Sequence, residues 1–247
     1  MKEYYYDLHM HSCLSPCADN DNTPGNLVGM GVLAGLTVMA LTDHNTCRNC
    51  PSFFAAAEQH GIVPVAGMEL TTAEDIHMVC LFETLEAAMA FSEEIDRRRI
   101  RIPNRTDIFG EQWVCDATDT PCEQEPDLLS NATTVSLEEG EELVARFGGV
   151  YYPAHIDREA NGIIATLGML PPTPHFTCVE FKDGGKVAEY RERYGLDGMM
   201  VVIDSDAHYL WDVQEKVNAI ALSPNDDSDQ AVRTALIHRL KQGGDVL

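Results

Sequence analysis

The chain has 247 residues, 45% of them hydrophobic, and sets 17 Lys and Arg against 40 Asp and Glu for a formal net charge of −23. That length holds one large domain or two small ones, and an α/β barrel of this size forms a single one, expected here over residues 1–247. So acidic a chain repels polyanions, which argues against long DNA or RNA as a partner and leaves a small phosphorylated substrate admissible where bound cations invert the local field.

In chain order, residues 4–9 read as an aromatic-rich strand. Pro24 opens an apolar helix that runs to Gly35. A short apolar strand at 37–42 is followed by a helix at 52–60, opened by Pro51 and ended by Gly61. Residues 62–69 and 76–82 read as strands separated by a polar turn, and 85–99 as an amphipathic helix. Residues 100–135, with Pro103, Pro121 and Pro126, break this rhythm and read as an excursion over a barrel mouth. A helix at 138–147, a strand at 149–154, a weak helix from 159, a strand at 176–181 and a helix at 187–194 follow. The chain closes with strands at 199–205 and 218–222, the latter an edge strand, and a helix at 229–242. Alternation of this kind predicts a mostly parallel sheet.

No apolar run approaches the roughly 18 residues of a membrane span. The N-terminus, Met-Lys-Glu-Tyr-Tyr-Tyr-Asp, has no apolar leader, so a cytoplasmic protein without membrane contact is expected. Eight cysteines in such a chain are expected as thiols, and the lone Cys47-Arg-Asn-Cys50 lacks the second pair that a four-thiolate zinc site needs.

The nine histidines are unevenly placed. His9, His11, His44, His155 and His208 fall at or just beyond the C-terminal ends of predicted strands, the edge on which barrel active sites are assembled, and His77 opens another strand. In Asp7-Leu8-His9-Met10-His11, period-two alternation puts Asp7, His9 and His11 on one face, so two imidazoles can share an ion while Asp7 orients one of them from behind. Asp204-Ser205-Asp206-Ala207-His208 repeats the spacing with an anionic and a neutral ligand. Glu69 is suited to bridge two cations through its two oxygens. His60, His175 and His238 are assigned structural or solvent-facing roles.

These motifs, Asp-Leu-His-Met-His-Ser (7–12), Thr-Asp-His-Asn (42–45), Gly-Met-Glu-Leu-Thr (67–71), Ala-His (154–155) and Ser-Asp-Ala-His (205–208), together resemble the PHP (polymerase and histidinol phosphatase) superfamily. The resemblance implies a distorted (β/α)7 barrel with two or three divalent ions (Zn, Mn or Fe) at the C-terminal ends of its strands. His9, His11, Glu69 and Asp206 would surround one ion; Glu69, His77 and His155 a second; His44 and His208 a third. Where members of the superfamily place a further histidine for that third ion, this chain has Cys17, whose thiolate would favour a softer metal such as zinc; Asp19 is a nearby alternative ligand.

The resemblance further implies a metal-dependent phosphoesterase, a phosphatase or phosphodiesterase in which a metal-activated hydroxide attacks phosphorus in a small metabolite or nucleotide. Asp43 is the candidate to orient a ligand or the nucleophile, Arg158 to clamp phosphate, and Lys182 to assist in binding it. Two other readings stay open: a hydrolase of a non-phosphate bond, and a metal-binding sensor or assembly module without turnover.

Overall fold

The computed structural model describes residues 1–244. Strand β1 (Lys2–Asp7) leads through a loop to α1 (Pro24–Ala34), β2 (Val38–Leu41), α2 (Cys50–His60), β3 (Val63–Thr71), β4 (His77–Phe82) and α3 (Leu85–Asp96). Then come α4 (Thr106–Phe109), β5 (Trp113–Cys115), β6 (Pro121–Gln124), α5 (Leu137–Arg146), β7 (Val150–Pro153) and α6 (Ile163–Leu167). The last elements are β8 (Cys178–Phe181), α7 (Val187–Tyr194), β9 (Met200–Ile203), β10 (Ala219–Leu222) and α8 (Asp229–Gln242). Local chemistry sets the helix ends: Thr23 caps α1 by accepting from Asn26 N, Pro24 sits in its first turn, and Gly35 ends it in the left-handed region at φ 78°.

Six strands form one curled sheet in the order β10-β1-β2-β3-β4-β7, and β8 and β9 form a separate parallel pair. The pair joins the curl through a parallel bridge between Met10 and Ala207, and through the Ile156 N–H, which donates to Glu180 O at 2.9 Å. This is the barrel-like α/β architecture expected, with helices outside. The expectation of a mostly parallel sheet is corrected. β1–β2 and β2–β3 are parallel, but β4 runs antiparallel to both β3 and β7, and β10 antiparallel to β1. The cause is the polar turn at residues 72–76: it is too short for a crossover, so β4 must run back along β3. The ladders among the described residues are this six-stranded sheet, the β8–β9 pair and a β5–β6 pair.

Two apolar layers follow from strand alternation. One face of the strands (Tyr4, Tyr6, Val38, Ala40, Val65, Val79, Leu81, Tyr152, Val202) forms an inner core joined by Leu236 and Leu240 of α8. The other face (Met39, Leu41, Met68, Cys80, Phe82, Phe181) packs against Leu27, Phe53, Phe91 and Leu143 of the surrounding helices. The central strand β3 is buried along its whole length. At Gly67 a Cβ would come within 2.8 Å of Cys80 O and 2.6 Å of Leu81 Cδ2, so only glycine allows this approach of β4 just below Glu69.

Residues 100–135 contain α4 and a β5–β6 hairpin that the sequence pattern did not reveal. They lie against the loops that follow β1 and β2: Trp113 N–H donates to Cys13 O (2.9 Å), Cys115 N–H to Asn49 Oδ1 (2.8 Å) and Asn45 Nδ2 to Leu129 O (2.7 Å).

Candidate metal centre

The inward face of the strands changes character at one end of the barrel. The register that carries Val38 and Ala40 continues to Thr42 and His44; that of Val63 and Val65 continues to Gly67 and Glu69. β4 enters from the same end, so its first residue, His77, pairs with Thr71 beside Glu69. Cys178 is followed by Glu180, and Val202 by Asp204 and Asp206, in the same way. Apolar below and ionisable above is thus a property of the strands themselves.

Glu69 is the hub. His77 Nδ1 and His155 Nε2 lie 2.8 and 3.0 Å from Oε1, His44 Nδ1 is 2.9 Å from Oε2, and His11 Nε2 is 3.3 Å from Oε2. His9 Nε2 is 3.4 Å from Oε1, 3.1 Å from His11 Nε2 and 3.6 Å from Asp206 Oδ1. Three overlapping sets have ligand atoms within 4.8 Å of one another: His9, His11, Glu69 and Asp206; His44, Glu69 and His77; and His11, His44 and His208. The expected partners of Glu69 are therefore adjacent, with His77 and His155 facing the same oxygen.

The donor set fits divalent ions. Glu69 Oε2 and His44 Nδ1 are fully buried and 2.9 Å apart, yet neither makes a hydrogen bond of proper geometry. Two imidazole nitrogens face each other at 3.1 Å in His9 and His11. Such convergence of buried lone pairs is costly unless cations occupy it. Oxygen and imidazole donors suit Zn, Mn or Fe.

The charges are arranged accordingly. Burial opposes ionisation of Glu69, but His77, His9 and His44 outweigh it and hold the carboxyl well below its usual range. Asp206, also buried, is held well below by His11 and His9. Burial disfavours the His9 imidazolium, yet Glu180 and Glu69 raise its pKa well above the ordinary value. Burial and His44 likewise oppose charge on His11, which Asp206 and Glu69 nevertheless raise. For His44, Cys17 and Glu69 overcome burial in the same sense. In His77 burial prevails over Glu69, and the pKa falls.

Two ligand candidates sit in left-handed backbone, His155 at φ 26° and Asp206 at φ 48°. For residues other than glycine this is strained, and here it turns each side chain at the point where its strand has ended. Glu180 holds the first: its Oε1 accepts the His155 N–H at 3.0 Å.

Glu180 is the residue that sequence reasoning missed. It is fully buried and accepts from His9 Nδ1 through both oxygens, at 3.0 and 2.9 Å. The available signal was an acidic residue in the middle of the apolar run Cys-Val-Glu-Phe. Asp7, expected to orient a histidine, instead accepts backbone N–H groups from Ser205 (3.1 Å) and Gln214 (3.3 Å), fastening β1 to the loop after β9.

Asp43 lies under the site rather than in it. It accepts from Ser12 N (2.7 Å), Ser12 Oγ (2.6 Å) and Ser15 Oγ (2.7 Å). Because the Ser15 hydroxyl donates to Asp43, its oxygen accepts from His11 Nδ1 at 3.0 Å. Arg158 is half-exposed at the rim and ion-paired with Asp206. Lys182 donates to Ser205 O at 2.9 Å, with its ammonium 3.9 Å from Asp206 Oδ2. Cys17 Sγ is 3.2 Å from His44 Nε2, whereas Asp19 Oδ1 is engaged by Asp21 N–H in its own turn. All eight cysteines are free thiols, and no helix among the described residues is long and apolar enough to cross a membrane. A surface cavity of about 510 Å³ elsewhere, lined by Glu83, Asn225 and His238 among others, includes none of these side chains.

Comparison with known proteins agrees with this geometry. An error-prone DNA polymerase of Symbiobacterium thermophilum is 34% identical over 77 residues, covering 31% of this chain and 7% of the polymerase. A 5'-3' exoribonuclease of Haemophilus influenzae is 37% identical over 79 residues, 31% of this chain and 28% of the relative. The chain thus spans a minor part of the curated relatives it matches. Among solved structures, the lesion-specific endonuclease PfuEndoQ of Pyrococcus furiosus superposes with a TM-score of 0.64 at 14% identity, over 96% of this chain and 56% of that one. An endonuclease Q bound to a 27-mer duplex with an abasic lesion at its active site gives 0.59 at 13% identity, over 95% and 56%.

The last of these overturns the expectation, drawn from the net charge of −23, that no long nucleic acid would be a partner and only a small phosphorylated substrate would be met. A protein with this fold holds a long duplex. Net charge averages over the whole surface, whereas approach to a site is governed by the local field, which bound cations and rim residues such as Arg158 and Lys182 set. Residues 7–159, more than half of the chain and the segment carrying His9, His11, His44, Glu69, His77 and His155, match the PHP domain, and the chain belongs to that family.

Proposed function

We propose that this protein is a metal-dependent phosphoesterase that cleaves phosphodiester bonds in nucleic acid. The observation that carries the reading is the gathering of five imidazoles around Glu69, with Asp206 beside them and Arg158 and Lys182 at the rim. His9, His11, Glu69 and Asp206 would hold one divalent ion and Glu69, His77 and His155 another, supplying Lewis acidity to a phosphoryl group and lowering the pKa of water.

The chain's own residues prepare the rest. Glu180 keeps a proton on His9 Nδ1, which turns the Nε2 lone pair inward. Asp43, through Ser15, does the same for His11. The carbonyl oxygen of Asp206 accepts from His208 Nδ1 at 2.8 Å and fixes that ring in the same tautomer. Arg158 offers a planar fork to nonbridging phosphate oxygens and Lys182 a second positive charge.

The nucleic-acid substrate class is supported by the relatives' activities and by a surface feature. Immediately after His208, Tyr209 and Trp211 stack at 4.8 Å with 12° between their planes, and Trp211 is 74% exposed. An exposed aromatic pair beside a phosphate site suits a nucleobase, whose π-face needs no sequence-specific partner.

The test is cleavage of end-labelled single-stranded and duplex oligonucleotides by protein stripped with chelator and reloaded with Zn or Mn. Metal-restored cleavage, lost in His9→Ala and Asp206→Ala, is the expected result. A fully metal-loaded protein that leaves every phosphodiester intact would replace this reading with a metal-binding module.

A further inference from the structure

We infer that Cys17, His44 and His208 form a thiolate-bearing metal position that selects zinc, distinct in ligand chemistry from the imidazole–carboxylate positions around Glu69. The inference rests on the metal-centre reading above. Its geometric basis is the loop after β1. Cys17 Sγ lies 3.2 Å from His44 Nε2, close to the roughly 3.5 Å that a thiolate sulfur and an imidazole nitrogen keep on one tetrahedral zinc ion. The nitrogens of His11, His44 and His208 lie within 4.8 Å of one another, and the His11 and His208 rings are 4.4 Å apart.

The loop is built to hold this juxtaposition. Two residues past Cys17, the Asp19 N–H donates to His208 O at 2.9 Å, so the cysteine loop is stapled to the histidine it faces. Asn22 secures the other end, donating from Nδ2 to His11 O at 3.1 Å and accepting from Cys13 N–H at 2.8 Å. The imidazoles are also oriented for it. His208 Nδ1 is committed to Asp206 O, which leaves its Nε2 free. His44 turns Nδ1 toward Glu69 Oε2 and presents Nε2 to Cys17, so that it stands between the two kinds of position.

Three protein ligands, one of them sulfur, make an open site for a borderline-soft ion, with a coordination position left for an incoming phosphate. Manganese is accepted by the imidazole–carboxylate positions around Glu69 and Asp206 and is a poor partner for thiolate. The centre is therefore expected to load unlike metals at unlike positions.

Cobalt(II) titration of the metal-free protein tests this, because a thiolate ligand adds a near-ultraviolet sulfur-to-cobalt charge-transfer band to the ligand-field bands that imidazole and carboxylate give. The expected result is that band in the parent protein, with zinc protecting Cys17 but not the exposed Cys122 from iodoacetamide. Cys17→Ser and Cys17→His should both lose the band, while Cys17→His keeps the ligand-field bands and the parent metal stoichiometry. Cobalt uptake with ligand-field bands alone and unprotected Cys17 overturns the thiolate position and leaves the Glu69 centre standing. No cobalt uptake at all overturns the metal-centre reading, and this inference with it.

Discussion

Glu180 accepts from His9 Nδ1 with both carboxylate oxygens and from the backbone of His155 with one of them, so a single buried acid on β8 orients two ligand candidates from two other strands. Carboxylates in this position fix the ring tautomer and raise the basicity of the nitrogen that faces the metal. Glu180→Gln keeps the shape but loses the charge, and metal affinity should fall by about 10- to 100-fold. Competition against a chromogenic chelator measures this directly. Unchanged affinity in a folded variant would reduce Glu180 to a packing residue.

Arg158 pairs with Asp206 Oδ2, placing a cation on a carboxylate that would hold metal, and, in the proposed reaction, binds phosphate. The two roles predict effects of opposite sign. Arg158→Ala should tighten metal binding, because a cation leaves the buried carboxylate, yet lower kcat/KM by about 10- to 100-fold, the worth of one charge-assisted hydrogen bond. Arg158→Lys should restore charge but not the fork, and recover activity only in part. Metal affinity and turnover falling together would show that Arg158 merely supports Asp206.

Trp211 is exposed enough that its removal should leave the fold intact. Loss of one stacked base costs about 1–3 kcal/mol, so Trp211→Ala should weaken binding of a short single-stranded oligonucleotide by roughly 5- to 150-fold. The thermal midpoint and metal content should not move. Fluorescence anisotropy of a labelled oligonucleotide reads the loss. Parent-like binding by the variant removes the Tyr209–Trp211 pair from the substrate path.

Much of this molecule was legible because apolar alternation and polar strand ends are local properties. The strands ending near His44, Glu69 and His155 and the helices opened by Pro24 and Pro51 all follow from runs of a dozen residues or fewer. What stayed hidden depends on contacts distant in sequence. Glu180 reads as an oddity in an apolar strand until β8 is folded against His9, 171 residues away. The reversal of β4 needed the turn at 72–76 to be weighed as too short for a crossover, and the β5–β6 hairpin lies in a stretch whose prolines and polar residues mask strand periodicity. The exclusion of long nucleic acid failed for a different reason: a sum over 57 charged side chains says nothing about where the few near the mouth are placed.

The metal-free centre carries protons that metal must displace. His9 and His44 are held well above the ordinary imidazole range by Glu180, Glu69 and Cys17, against the opposing effect of burial, so they retain protons near neutral pH, and Asp206 and Glu69 raise His11 in the same sense. His77, lowered chiefly by burial, is already neutral there and releases none. Only the neutral ring donates a lone pair, so loading releases protons, and apparent metal affinity must rise as pH rises through neutrality and fall in mild acid. Glu69 and Asp206 stay ionised throughout this interval because their carboxyls are held well below their usual range, so the pH dependence belongs to the histidines. Calorimetric zinc titrations at one pH, in buffers of different protonation enthalpy, count the protons released. More than one should leave per centre near pH 7, with the number shrinking as pH is raised. Heats independent of buffer would mean that these imidazoles are neutral before metal arrives, and that the acidic cluster does not hold them charged.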